Sequence, residues 1–146
     1  MILDSQALFS DSQAITVTAN SSNVIDNLAT STVPGTPGSP ISVFAQVMQA
    51  FSGGTSLQIS VVSADDAALT TNAVTHFTTA VIPVASLTAG LFALATRLPP
   101  QKMRKYLGLK YTVVGTMSAG TILAAVVDDL QTVRGAVDYS KGFTVA

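Results

Sequence analysis

Residues 106–115 read YLGLKYTVVG. Leu107, Leu109, Tyr111 and Val113 alternate with Tyr106, Gly108, Lys110 and Thr112. A period of two sends one set of side chains to a core and leaves the other to solvent or a partner, the mark of a β-strand. The same pattern recurs upstream, where Leu57, Ile59 and Val61 alternate with Gln58 and Ser60. Outward from these two stretches the chain is rich in Val, Ile and Thr, lacks Glu entirely, and is punctuated by turn residues about every ten positions. This predicts strands over 15–19, 24–26, 41–49, 57–63, 74–82, 91–96, 106–115 and 121–127.

The connections fit the same class. Gly53-Gly54 separates the third and fourth of these strands and suits a tight turn with positive φ. Met117-Ser118-Ala119-Gly120 reads as a hairpin between the last two. Leu98-Pro99-Pro100-Gln101 excludes regular helix or central strand. Eight short strands in 146 residues predict an all-β, jelly-roll-like β-sandwich forming one domain over 1–146. Three segments lie outside that sandwich in this reading. They are an N-terminal arm over 1–13, a long loop over 28–40 with three Pro and two Gly, and a C-terminal tail over 131–146.

Charge is the other informative feature. Only 10% of the residues are charged, and the first 96 contain no Lys or Arg. Soluble domains ordinarily carry about 25%. Mean hydropathy is +0.49. Buried charge is costly, so large permanent interfaces are poor in it at their centres. The composition therefore predicts a surface spent against other protein, a structural subunit before an enzyme. Residues 1–96 hold five Asp and no cation, −5 in all, while 97–146 hold seven Lys or Arg and three Asp, +4. That division suggests head-to-tail or complementary contacts.

Several function classes lose support. There is no Cys, so disulfide scaffolds and Cys-based zinc sites are excluded. The uncharged stretches 77–96 and 111–127 are too polar or interrupted for spanning helices, and with 6% aromatic residues the girdles of a membrane barrel are missing. The first residues lack the features of a signal peptide, so no membrane insertion or standard export is expected. His76 invites a hydrolytic triad with Asp65 or Asp66 and a serine, but no Gly-x-Ser-x-Gly elbow occurs. No phosphate or dinucleotide motif is present, and no cofactor is expected.

Asp65-Asp66 and Asp128-Asp129 each follow a predicted strand, and together would offer calcium four carboxylates if the fold joined them; Asp is also a common turn former. Arg97, Lys102, Arg104, Lys105 and Lys110 form the one basic cluster. Without a recognisable nucleic-acid module, and with an overall pI of about 5.5, it does not point to nucleic acid. Lys102, Arg104 and Lys105 are candidates for a protein interface, the alternative being charges that keep a sheet edge unpaired.

Beyond composition, the chain resembles the cement (decoration) proteins of short-tailed bacteriophages of the Bordetella phage type. The likeness lies in MILDSQALFSDSQAIT at 1–16, Asn-Val-Ile-Asp at 23–26, LPPQKMRKYLGLKYTVVGTMSAGTILAAVV at 98–127 and DYSKGFTVA at 138–146. It implies a jelly-roll subunit without enzymatic activity, made in the host cytoplasm and carried on the outer surface of the virion's icosahedral head. It further implies a homo-oligomer, a dimer before a trimer, that bridges neighbouring major capsid subunits and reinforces the shell. For such a task we single out Ile2, Leu3 and Phe9 at the N-terminus and Tyr139 and Phe143 in the tail as candidate contacts, the alternative for each being an anchor within the chain. The rival reading is a receptor- or carbohydrate-binding module of a phage fibre. That reading is weakened by the absence of Trp and the presence of only three Tyr.

Overall fold

The computed structural model describes residues 3–26, 41–98 and 101–128. Ten strands follow one another: β1 (Leu8–Ala14), β2 (Ala19–Asn20), β3 (Ile25–Asp26), β4 (Ser42–Gly53), β5 (Ser56–Ala64), β6 (Val74–Thr78), β7 (Ile82–Pro83), β8 (Phe92–Arg97), β9 (Tyr106–Val114) and β10 (Met117–Val127). One sheet has the order β1-β10-β4-β8; the other runs β2-β9-β5-β6, with β3 also on β9 and β7 also on β5. All pairings are antiparallel.

When the short pairs β2/β3 and β6/β7 each count as one interrupted strand, eight strands remain, and the logic of the fold is plain. The first pairs with the eighth, the second with the seventh, the third with the sixth and the fourth with the fifth. The chain is thus one long antiparallel hairpin wound about itself, which is the jelly roll. Its centre is the β5–β9 ladder, in register without a slip from Ser56↔Val114 to Ala64↔Tyr106. The alternation legible in the sequence holds here. Leu57, Ile59, Val61, Leu107, Leu109 and Tyr111 are buried between the sheets, facing Val43, Val47, Ile122 and Ala124 from the other layer. Tyr111 carries its hydroxyl into that core against Ser10 Oγ at 2.7 Å. Burial holds the phenol well above its ordinary pKa, an effect the Ser10 bond opposes.

The four-stranded sheet is apolar on both faces. Opposite the main core, Phe44, Leu123 and Ala125 form a second cluster, against which Leu3, Leu8, Phe92 and Val127 pack. Phe44 and Phe92 meet as tilted rings 6.1 Å apart.

Three local expectations are corrected. Residues 8–13 are not an arm but most of β1, paired with β10. Residues 15–19 are not a strand, apart from Ala19, but the bend that carries the chain from one sheet to the other. The last two strands do not form a hairpin, since β9 and β10 lie in different sheets. The turn falls at Gly115-Thr116, and Met117–Gly120 belongs to β10 itself. By contrast, Gly53 and Gly54 adopt the positive φ expected of them, +71° and +60°. They too form a corner between sheets rather than a hairpin.

Candidate interaction surfaces

The winding of the hairpin sorts the connections between two ends of the sandwich. The four crossovers β1→β2, β4→β5, β7→β8 and β9→β10 meet at one end. There Ile15 N–H donates to Gly120 O at 3.1 Å and Met117 N–H to Thr16 O at 2.8 Å. Thr55 N–H donates to Val114 O at 2.8 Å, Val84 N–H to Thr55 O at 3.0 Å and Phe51 N–H to Leu87 O at 3.0 Å. The connections that build this end, 15–18, 54–55, 84–91 and 115–116, contain no Asp, Lys, Arg or His. Instead Val17, Val81 and Val114 are 53%, 60% and 54% exposed. An end with no ionisable group among its described residues and with three half-bare valines is the kind of surface that protein interfaces cover at their centres.

The opposite end gathers nearly all the charge of the described residues. Arg97 pairs with Ser42, Ser42 with Val127, and Asp26 with Tyr106. This register brings Asp4, Asp26, Asp65, Asp66, Arg97, Lys102, Arg104, Lys105 and Asp128 to one end, with Asp11 and Lys110 partway along the strands. Among the described residues, the opposite signs of the two halves of the sequence therefore do not form opposite poles. Asp65 and Arg104, one from each half, are joined at 3.0 Å.

A hydrogen-bonded knot organises this end. Ser63 Oγ lies 2.6 Å from His76 Nε2, His76 Nδ1 lies 3.1 Å from Gln101 Oε1, and Arg104 N–H donates to Ser63 Oγ at 3.1 Å. With an amide oxygen as its partner, Nδ1 carries the proton, so Nε2 accepts from the Ser63 hydroxyl. The knot ties β5, β6 and the 101–104 segment together. It has the outline of a serine–histidine pair, but neither aspartate completes a triad. Asp65 accepts from Arg104 and Asn72, and Asp66 accepts from Thr70 and Thr71. Ser63 is fully buried, so its oxygen presents no nucleophile to a substrate in this arrangement.

The same bonds bear on the calcium reading. Asp66 closes its own loop, taking Thr70 Oγ1 at 2.6 Å and the Thr70 and Thr71 N–H groups at 2.8 and 2.7 Å. The described residues contain no group of three or more potential metal ligands. Asp129 lies outside the described residues.

The Thr70 hydroxyl and the Thr71 N–H hold the Asp66 carboxyl below the usual carboxylate range; Asn72, then Arg104, do so for Asp65. A lowered folded pKa means that the unfolded chain binds protons first. The stability these groups contribute is present above about pH 4 and is lost as pH falls through their folded values. Urea midpoints measured from pH 5 to pH 2 are therefore expected to fall more steeply for the parent chain than for Asp66→Asn. Parallel curves would show that the loop bonds are worth nothing in solution.

Of the candidate contacts, Lys102 is exposed and Arg104 and Lys105 are partly buried at the charged end, with Lys105 Nζ 5.1 Å above the Tyr106 ring. Leu3 packs on the outer apolar cluster of its own chain, and Phe9 is wholly buried in the main core. Phe9 is thus an intramolecular anchor. Ile2, Tyr139 and Phe143, like the 28–40 loop and the 131–146 tail, lie outside the described residues. What sequence reasoning missed is the uncharged end itself. Val17, Val81 and Val114 are far apart along the chain, and only the winding assembles the corners that carry them. No helix among the described residues is long and apolar enough to cross a membrane.

A protein-family model described as Bbp16 matches residues 9–126, which is 118 of the 146 positions. The chain belongs to the Bbp16 family, whose name suggests a Bordetella phage protein. No curated protein matches it.

Proposed function

We propose, with membership of the Bbp16 family as the premise, that this chain is a structural virion protein. It decorates the outside of an icosahedral phage head and bridges neighbouring shell subunits without catalysing a reaction. The observation that carries this reading is the uncharged end of the jelly roll, with Val17, Val81 and Val114 more than half exposed. A surface free of ionic groups avoids the largest desolvation cost, that of burying charge, so more of the gain from its apolar area remains for binding.

A bridge needs two contact regions, and the sandwich offers two of different chemistry. The uncharged end suits apolar contact, and Lys102 and Lys105 at the other end suit an acidic partner surface. Neither contact has to be tight. An interface of about 800 Å² per partner is a standard size, and a second contact made by an already bound molecule gains an effective concentration of about millimolar order.

The test is electron cryomicroscopy of the full chain mixed with phage heads that lack it. Ordered density at symmetry-related positions on the outer shell is the expected result. The double variant Val17→Lys/Val114→Lys is expected to weaken binding at least tenfold at any ionic strength. Lys102→Glu/Lys105→Glu is expected to weaken it mainly at low salt, where charge is least screened. Heads that remain bare, binding to glycans alone, or undiminished binding by the valine variant would overturn the proposal.

A further inference from the structure

We infer that His76 is a proton-operated clasp on the 101–104 segment: the neutral ring holds that segment against β5, and the protonated ring loosens it.

His76 is the sole histidine of the chain. The β5–β6 ladder passes from Val61↔Phe77 directly to Val62↔Thr75, so His76 is the extra residue of a β-bulge. A bulge often serves to re-aim a side chain away from its ladder. Here the ring meets two partners from other elements, Ser63 of β5 and Gln101 of the segment that leads into β9.

Ser63 makes the arrangement sensitive to a proton. Its side chain is fully buried, with Oγ 2.6 Å from His76 Nε2 and 3.1 Å from the Arg104 amide nitrogen. A hydroxyl has one hydrogen to give and two lone pairs to receive. While the ring is neutral, with Nδ1–H given to Gln101, the hydroxyl hydrogen goes to Nε2 and a lone pair takes the Arg104 N–H. Protonation puts a hydrogen on Nε2 as well. The ring can then only donate, and the buried Ser63 hydrogen loses its acceptor. An orphaned buried donor carries a full desolvation cost. Relief requires Ser63 to turn its oxygen away from the Arg104 N–H, or the 101–104 backbone to withdraw.

The surroundings offer the protonated ring no compensation. Neither ring nitrogen meets a carboxylate. Of the ionisable groups on the elements packed against it, Asp65 accepts from Arg104 and Asn72, and Asp66 closes its own loop on Thr70 and Thr71. The others, Lys102, Arg104 and Lys105, are cations. The release is partial by construction. Met103 stays in the main core, 1% exposed, and Arg104 Nη1 stays on Asp65 at 3.0 Å. What loosens is the backbone around them. The clasp therefore governs how firmly Lys102 is presented to an acidic partner, a consequence that rests on the proposed role, whereas the clasp itself does not.

A single histidine makes the experiment clean, because nitrogen-15 NMR of the full chain reads the tautomer and the protonation of His76 without overlap. Hydrogen exchange, corrected for its intrinsic pH dependence, reads the Arg104 amide in the same sample. The neutral ring is expected to carry its hydrogen on Nδ1. As the ring takes up a proton, protection of the Arg104 amide is expected to fall about tenfold. The Thr55 amide, bonded to Val114 O at the uncharged end, is expected to keep its protection. Asp65 and Asp66, held below the usual carboxylate range, keep their charge meanwhile and do not confuse the readout. In His76→Gln the protection of Arg104 is expected to be the same across the whole range. The parent chain decides the matter even where that variant fails to fold. A neutral ring with its hydrogen on Nε2, or Arg104 protection that does not follow the ring, would overturn the inference.

Discussion

Gly120→Ala is expected to lower the unfolding free energy by about 3–5 kcal/mol, from backbone strain and overpacking together. Gly120 has φ +135°, a region that side chains rarely enter. A Cβ there would lie 2.3 Å, 2.4 Å and 2.6 Å from Cδ1, Cγ and Cε1 of Phe51. Phe51 is 7% exposed within the main core, so its ring cannot retreat without opening a void. The surrounding β10–β4 ladder is irregular between Met117 and Ile122, and Gly120 O accepts the Ile15 N–H that holds the first crossover. The substitution therefore strains the uncharged end where its corners meet. Gly90→Ala is the control. Its φ is +89°, but nothing lies within 4 Å of the added carbon, so only the backbone strain remains, about 1–3 kcal/mol. Urea denaturation of the two variants measures the difference. Equal losses would show that Phe51 does not hold its place in solution.

Phe9→Ala is expected to cost about 3–5 kcal/mol, the range for emptying a buried aromatic site. Phe9 is wholly buried in the main core, and its carbonyl accepts the Asn23 N–H at 2.9 Å. Its neighbour Ser10 meets the buried Tyr111 hydroxyl. Removing the ring would leave β1 attached chiefly through its ladder to β10, which is already irregular at two places. The experiment also discriminates between two roles. An anchor for another protein would lose partner binding with little change in denaturation midpoint. A core residue loses stability, while the folded fraction binds as before. A loss below about 1 kcal/mol, far under the cost of a buried-aromatic deletion, would return Phe9 to the list of external contacts.

Much of the sandwich was legible from the residues because period-two alternation is a local signal. It marked β5 and β9 nearly to the residue, and it marked the buried set Leu57, Ile59, Val61, Leu107, Leu109 and Tyr111. The same signal misled at 15–19, where alternating Ile15, Val17 and Ala19 belong mainly to a crossover. Alternation reports which side chains prefer burial and not which strand lies alongside. It also failed at β1, whose Ser10, Asp11, Ser12 and Gln13 look like solvent-exposed coil. That strand exists because β10 offers a partner and because Phe9 and Ser10 point into the core, where Ser10 bonds Tyr111 across 101 positions of sequence.

The candidate surfaces were less legible still. The scarcity of charge and the lack of cysteine are properties of composition, and the residues alone determined them, together with the all-β class. Where the few charges sit was decided only by the tertiary structure. Winding a hairpin about itself places alternate connections at opposite ends. Charges distant in sequence, such as Asp65 and Arg104, then meet at 3.0 Å, while the connections without charge converge at the other end. Composition is additive along a chain, whereas the gathering of charge depends on which strand pairs with which. That pairing is a long-range property, because its energy comes from neighbours many residues away.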